Sequence, residues 1–150
     1  MFATEKSPFF RLLLLVNLTS RPFSRLYGRR FRIDLAEWRI VLTLADRPGL
    51  SATELGEALG LDKMAVSRAV RSLEAHARLT RTLDANDLRR ATLTLTEAGL
   101  ALHVLIGPSG RAREEVLLSA LNTSERAALD AILDKLVARA RSMPEPNQNP

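Results

Sequence analysis

Cysteine is absent from the 150 residues, which removes disulfides, thiolate metal sites and thiol redox sensing together. The absence fits a reducing compartment, and a cytoplasmic location is expected. Only two histidines occur, His76 and His103, on different predicted elements. With no thiolate to join them, no metal site is expected. Long hydrophobic runs are missing too. The stretch from Leu12 to Val16 lies between Arg11 and Asn17, too short to cross a bilayer, and no small-residue cleavage site follows it. Neither a membrane span nor a signal peptide is expected. The chain has no glycine-rich phosphate loop, and its serines have no histidine and acid beside them in a recognisable motif. Neither an enzyme nor a bound cofactor is expected.

What remains is ordinary for a globular protein: 46% apolar and 26% charged residues, enough chain for a single domain with a real core. The net charge of +5 is unevenly spread. Residues 1–50 carry nine Lys/Arg against four Asp/Glu, residues 51–62 none against three, residues 63–90 seven against three, and residues 91–150 six against seven. A basic block beside an acidic one fits a surface facing a polyanion, and equally an arginine-rich solvated surface.

Ser7-Pro8 reads as a helix start. The helix that follows is apolar nearly all round as far as Leu18, so it is expected to be buried on several sides. It should kink at Pro22 and close at Gly28 or the basic residues beyond. A second helix runs from Asp34 or Leu35 to Ala45, with Trp38, Val41, Leu42 and Ala45 on one face. Arg47-Pro48-Gly49 is a turn. Ser51 with Glu54 makes a capping box for a short third helix whose inward residues are Leu55, Ala58 and Leu59, and Gly60 ends it at positive φ. Asp62 caps a fourth helix, about 63–76, with Val66, Val70 and Leu73 as its buried stripe. Alternation at Leu79, Arg81 and Leu83 and again from Thr92 to Leu95 predicts a two-stranded hairpin with a polar, basic tip. Thr96 caps a fifth helix that Gly107-Pro108 should interrupt. Asn122 with Glu125 opens a last helix to about Arg141, with Leu129, Ile132, Leu133, Leu136 and Val137 forming a wide apolar face. The tail, residues 142–150, is expected to be disordered.

The third and fourth helices, joined tightly at Gly60-Leu61, have the helix-turn-helix arrangement, whose second helix presents its N-terminal residues to base edges. With the buried stripe subtracted, Lys63, Ala65, Ser67, Arg68, Arg71 and Ser72 face out. Arg68 suits guanine O6 and N7, Ser67 a base or phosphate, and Ala65 a thymine methyl. Lys63 and Arg71 suit phosphates. Ser51 and Thr53, at the start of the third helix, complete the candidate contacts there. A solvated amphipathic helix would look the same in isolation. The hairpin adds Arg89 and Arg90 at its tip, with Asp87 two residues before Arg89 and able to brace its guanidinium; an exposed turn with a weak ion pair is the plainer alternative.

Asp34-Leu-Ala-Glu-Trp-Arg-Ile-Val-Leu, Leu50-Ser-Ala-Thr-Glu-Leu, Leu61-Asp-Lys-Met-Ala-Val-Ser-Arg-Ala-Val, Asp87-Leu-Arg-Arg and Leu93-Thr-Leu-Thr-Glu-Ala-Gly together resemble the MarR (multiple antibiotic resistance regulator) family, over about residues 7–141. The resemblance implies a mainly α fold with a small β-hairpin wing (α+β). It places a winged helix-turn-helix at 34–95 and dimerisation helices at 7–33 and 96–141. It further implies a triangular homodimer on double-stranded DNA bearing a pseudo-palindromic operator, a repressor role, and release by a small phenolic or lipophilic effector. Phe23, Tyr27, Trp38 and His103 are candidates for that ligand pocket, or else ordinary core and interface residues. The sequence departs from the family where Ala77 and Arg78 stand in place of the usual glycine and aliphatic residue. The helix is therefore expected to end without positive φ at Ala77, and Arg78 to point outward toward phosphate. A ligand-independent DNA-binding protein and a winged-helix protein-protein module remain as alternatives.

Overall fold

The computed structural model describes residues 6–83 and 91–144. Its first helix, α1 (Pro8–Phe23), opens with proline at its N-terminal turn and carries Pro22 inside it. Beyond Pro22, which offers no N–H to the preceding turn, the helix passes into a π-helical stretch, Ser24–Gly28. One more turn, α2 (Arg29–Phe31), ends where Arg32 enters the left-handed region at φ 49°.

Helix α3 (Leu35–Asp46) begins with a full capping box. The Asp34 carboxylate accepts from Glu37 N at 2.8 Å, and Asp34 N donates to the Glu37 carboxylate at 2.7 Å. That exchange accounts for Glu37 being the one buried charged side chain among the described residues. Trp38, Ile40, Val41 and Leu44 form the inward face. Leu42, expected inward, is 39% exposed. The face is centred on Val41 and Leu44 rather than Leu42, because the core reaches α3 from the side on which α5 packs.

Helix α4 (Ala52–Leu59) has its Ser51–Glu54 capping box complete, and Gly60 ends it at φ 62°. There a side chain would meet the left-handed penalty that glycine escapes. Arg39 of α3 donates to Leu59 O at 2.7 Å, closing an orphan carbonyl of α4. Asp62 caps α5 (Lys63–Ala75) through Ala65 N at 2.7 Å. Val66, Ala69, Val70 and Leu73 are buried along it. Strands β1 (Leu79–Leu83) and β2 (Ala91–Leu95) pair antiparallel, Leu79 opposite Leu95 and Leu83 opposite Ala91. Leu50 adds a single bridge to Leu93 on the far side of β2, with Leu93 N donating to Leu50 O at 2.9 Å. Of β1 only Leu79 is buried.

The core joins these helices and strands. It comprises Ile33, Trp38, Ile40, Val41, Leu44, Leu55, Val66, Ala69, Val70, Leu73, Leu79, Leu93, Leu102 and Ile106. Thr96 caps α6 (Glu97–Leu118), its hydroxyl accepting from Gly99 N at 3.1 Å. The expected break at Gly107-Pro108 does not occur: α6 is helical from Glu97 to Leu118 with Pro108 inside it. Proline removes one hydrogen bond from a helix interior, and here the turns on either side hold without it.

The chain divides into two compact units, one up to Gly107 and one from Pro108 on. In the second, α7 (Thr123–Ser142) opens with the Asn122–Glu125 capping box. Arg126 is held by the Glu115 carboxylate at 2.8 and 3.2 Å and by Leu118 O at 3.1 Å. The expected burial of α1 is not found. None of its residues is buried, and Phe9, Leu14, Val16 and Leu18 are more than half exposed. A chain of this size has too little further surface to wrap such a helix on every side. The apolar face of α7 is likewise exposed, Ile132 by 53% and Leu136 by 50%. No helix among the described residues is long and apolar enough to cross a membrane.

Candidate nucleic-acid interface

The outward face of α5 follows from what its inward face buries. Lys63, Arg68 and Arg71 are exposed, while Ala65, Ser67 and Ser72 are half-buried at the edges of that face. Among the described residues the ion pairs are Arg81–Glu74 and Arg126–Glu115, so neither Arg68 nor Arg71 nor Lys63 is committed to a carboxylate. Glu74 sits near the far end of α5. The charge at the start of the helix is therefore not neutralised from within the element. Met64, which the sequence pattern did not single out, is 65% exposed on the first turn between Lys63 and Ala65. Its apolar character hid it, although it falls outside the spacing of the buried stripe.

Ser51 and Thr53 stand at the head of α4. The Ser51 hydroxyl is engaged with the Glu54 carboxylate at 2.7 Å and accepts from Glu54 N at 3.2 Å, whereas Thr53 is exposed. Both line an open cleft of about 400 Å³ between the head of α4 and the hairpin, together with Arg81, Ala91 and Leu93. Arg81 Nε donates to Glu74 Oε1 at 3.3 Å, tying β1 to α5, and the Thr80 and Thr94 hydroxyls meet at 3.1 Å across the strands. Asp87, Arg89 and Arg90 lie outside the described residues.

The connection from α5 to the hairpin corrects the expectation for Ala77 and Arg78. Ala77 does adopt positive φ, 54°. Arg78 N donates to Leu73 O and Ala77 N to Glu74 O, both at 2.9 Å. These are the paired bonds of a Schellman ending, with alanine where glycine usually stands. Arg78 does not point toward phosphate. Its guanidinium turns inward to the carbonyl oxygens of Phe31 and Arg32, the latter at 3.1 Å. The end of α2 leaves carbonyls without helical partners, and a cation is drawn there by both the hydrogen bonds and the helix dipole.

Phe23, Tyr27, Trp38 and His103 do come together. Ring centroids are 5.6 Å apart for Phe23–Tyr27, 5.9 Å for Phe23–Trp38 and 6.2 Å for Trp38–His103. Phe31 extends the series, 6.2 Å from Tyr27. Trp38 is buried and the other three of the predicted set are half-buried. The rings pack on one another, with Phe23 and Tyr27 laid against the core.

A model of the MarR family matches residues 33–90, the stretch from the first core residue, Ile33, up to the residue before β2. The chain is 30% identical to the HTH-type transcriptional regulator TtmR of Methylorubrum extorquens (strain PA1), over 82% of this chain and 68% of that one. It is 31% identical to the HTH-type transcriptional repressor NicR of Pseudomonas putida, over 63% of this chain and 60% of that one. Among solved structures, a MarR/EmrR family transcriptional regulator from Acinetobacter sp. ADP1 superposes with a TM-score of 0.86 at 29% identity, covering 95% of this chain and all of that one. The fold is shared at 21% identity and a TM-score of 0.79 with Bordetella bronchiseptica BpsR, over 91% of this chain and 96% of that one; the BpsR structure concerns regulation of DNA binding by 6-hydroxynicotinic acid. The helix-turn-helix, the hairpin and these likenesses agree: the chain belongs to the MarR family of transcriptional regulators, which are DNA-binding proteins and not enzymes.

Proposed function

We propose that this protein is a sequence-specific repressor that acts as a homodimer on a pseudo-palindromic DNA operator and is released by a small aromatic or lipophilic ligand. The observation that carries the reading is the outward face of α5. Lys63, Arg68 and Arg71 are exposed there with no carboxylate partner among the described residues, on a helix whose first turn is fixed by Asp62. Arg68 has the guanidinium geometry for guanine O6 and N7, Ser67 serves a base or phosphate, and Ala65 a thymine methyl. Lys63 and Arg71 take phosphates, where they add affinity without sequence information. Thr53, and Ser51 through the head of its helix, line the cleft beside the hairpin and complete the backbone contacts. Arg89 and Arg90, with Asp87 as brace, extend the contact surface at the wing tip.

Residues 34–95 form the DNA-reading region in this account, and 7–33 with 96–141 supply the dimer contacts. The exposed apolar side chains of α1 and α7 support that division. The repressor role is supported by the likeness to NicR, a protein named as a repressor. Ligand release is supported by the half-buried aromatic set Phe23, Tyr27, Trp38 and His103, and by the shared fold of BpsR, whose DNA binding 6-hydroxynicotinic acid regulates.

The decisive experiment is selection of randomised duplex DNA by the purified protein near physiological salt, followed by sequencing of the retained fraction. Enrichment of a pseudo-palindrome with half-sites about one helical turn apart is the expected result. Recovery of unenriched DNA would overturn the reading in favour of a winged-helix protein-protein module. Small aromatic acids are then added to the operator complex. Dissociation with a raised melting temperature of the free protein is expected, and no effect from any of them would leave a ligand-independent repressor.

A further inference from the structure

Residues 77 and 78 are where four segments of the fold meet. On one side α5 ends, with Arg78 N bonded to Leu73 O. On another β1 begins at Leu79. The far strand returns to the same point: Thr96 N, just past β2, donates to Arg78 O at 3.1 Å, and the Thr96 hydroxyl donates to Ala77 O at 2.6 Å. The start of α6 presses in so closely that a Cβ on Gly99 would collide with Arg78 O. The fourth segment is the end of α2, reached by the Arg78 side chain through the carbonyls of Phe31 and Arg32. That end is itself held. Phe31 stacks on Tyr27, and the Arg30 guanidinium lies 5.1 Å from the centre of the Phe31 ring.

Of β1, only Leu79 is buried, and the ion pair from β1 to α5 among the described residues, Arg81–Glu74, is largely exposed and so worth little. A planar, five-donor guanidinium bridging two adjacent carbonyls fixes direction as well as distance, which an aliphatic side chain at this position cannot do.

We propose that Arg78 is a positioning residue for DNA recognition: its guanidinium locks the root of the wing and the end of α5 to the carbonyls of Phe31 and Arg32, and so sets the angle at which the hairpin meets DNA. The inference rests on the reading of α5 and the wing as the DNA-contacting elements. It adds that a cation between them acts from inside the protein and not on the DNA.

Arg78→Met, which keeps the apolar stem and removes the donors, and Arg78→Lys, which keeps the charge and loses the fork, are compared with the unaltered protein in three measurements. The first is operator affinity across a salt series. Arg78→Met is expected to lose on the order of tenfold in operator affinity, with the slope of log affinity against log salt unchanged. A lost phosphate contact would instead lower that slope by about 0.9. The second is rescue. Lysine restores a phosphate contact in full, but restores a two-carbonyl fork only in part, so Arg78→Lys should fall between the other two proteins. The third is hydrogen exchange in the absence of DNA: the amides of Leu79–Leu83 should exchange faster in Arg78→Met while those of α4 keep their rate. A slope lowered by about 0.9, or full rescue by lysine, would make Arg78 a DNA contact and overturn the proposal. Unchanged operator affinity together with unchanged exchange would overturn it as well. If the unaltered protein preferred no sequence, the DNA reading would fail by itself, and the exchange result would still decide whether Arg78 holds the wing. Should Arg78→Met not fold, the lysine variant alone carries all three comparisons.

Discussion

The guanidiniums of α5 are chemically alike and are expected to do different work. Arg68 lies in the second turn of the helix and Arg71 a turn further along; in the proposed function the first meets a base edge and the second a phosphate. Arg68→Ala should cost about 1–3 kcal/mol against the preferred base and little against other sequences, flattening preference at one position of the site. Arg71→Ala should weaken binding to every sequence alike and lower the salt slope by about 0.9. Competition binding on single-base operator variants, repeated at several salt concentrations, separates the two. Equal losses on all sequences for both variants would show that α5 makes no direct base contact. Ala77 offers a test of the opposite sign. It holds φ 54°, where a Cβ crowds the following carbonyl oxygen. Ala77→Gly should therefore raise stability, by about 1 kcal/mol, read as a higher denaturation midpoint at constant m-value. Steric preference alone argues against alanine at such a position, which is why the sequence pattern pointed to a different helix ending. What outweighs it is the local bond from Arg78 N to Leu73 O together with a tertiary hold, Thr96 bonding the carbonyls of residues 77 and 78 from the far strand.

Elements whose boundaries are set by local chemistry were legible before any coordinates. The Ser51–Glu54 and Asn122–Glu125 boxes, the Asp62 cap and the Gly60 ending all act within four residues, so neighbouring sequence contains the whole cause. Asp62→Ala should therefore cost about 1 kcal/mol of stability and fray the first turn of α5. Because that turn carries Lys63, Met64 and Ala65, operator affinity should fall with it. A melting temperature and an affinity that both stay put would mean that the cap is dispensable. Proline was the less reliable guide. Its local effect is the same at Pro22 and Pro108, one lost hydrogen bond, yet one is followed by a π-helical stretch and the other lies within an unbroken helix. Which outcome follows depends on packing that no short window contains. The turn between α6 and α7 shows the same dependence on distant partners. Arg126 hydrogen-bonds Glu115 and attracts it electrostatically, holding its carboxyl below the usual glutamate range. A carboxyl with a lowered folded value stabilises above its unfolded value, and the contribution fades as pH falls through the folded one. Glu115→Gln should thus lower the melting temperature slightly above about pH 4.3 and not at all in stronger acid. The effect should be small because the pair is exposed. A larger loss in acid than at neutral pH would reverse the assigned sign.

At the scale of the whole molecule, the information that composition carried best was surplus. Leu12 to Leu18 was readable as a helix with apolar side chains all round, and the expectation that it is buried fails within a single chain: no residue of α1 is buried, and Phe9, Leu14, Val16 and Leu18 are each more than half exposed. A sequence records which side chains seek burial but not which molecule supplies the cover. Leaving one leucine exposed forgoes roughly 1.5–3 kcal/mol, so a helix presenting many has strong reason to pair. The aromatic set was grouped through the family resemblance and its rings do meet, whereas the Arg78 bridge spans 46 residues to Arg32 and leaves no trace in spacing. If α1 supplies the dimer contact, Leu14→Lys with Leu18→Lys should yield a monomer by sedimentation equilibrium, since charge on an apolar interface is costly to bury. Helix α5 and the hairpin take their packing from the core of residues 33–106, so the monomer should keep its DNA-reading surface. Its affinity for one half-site should then match that of the unaltered protein for the same half-site, while the full pseudo-palindrome loses the two-site advantage, at least about a hundredfold. A variant that stays dimeric would place the contact elsewhere. A monomer that binds the full site as tightly as before would show that the two half-sites are not read together.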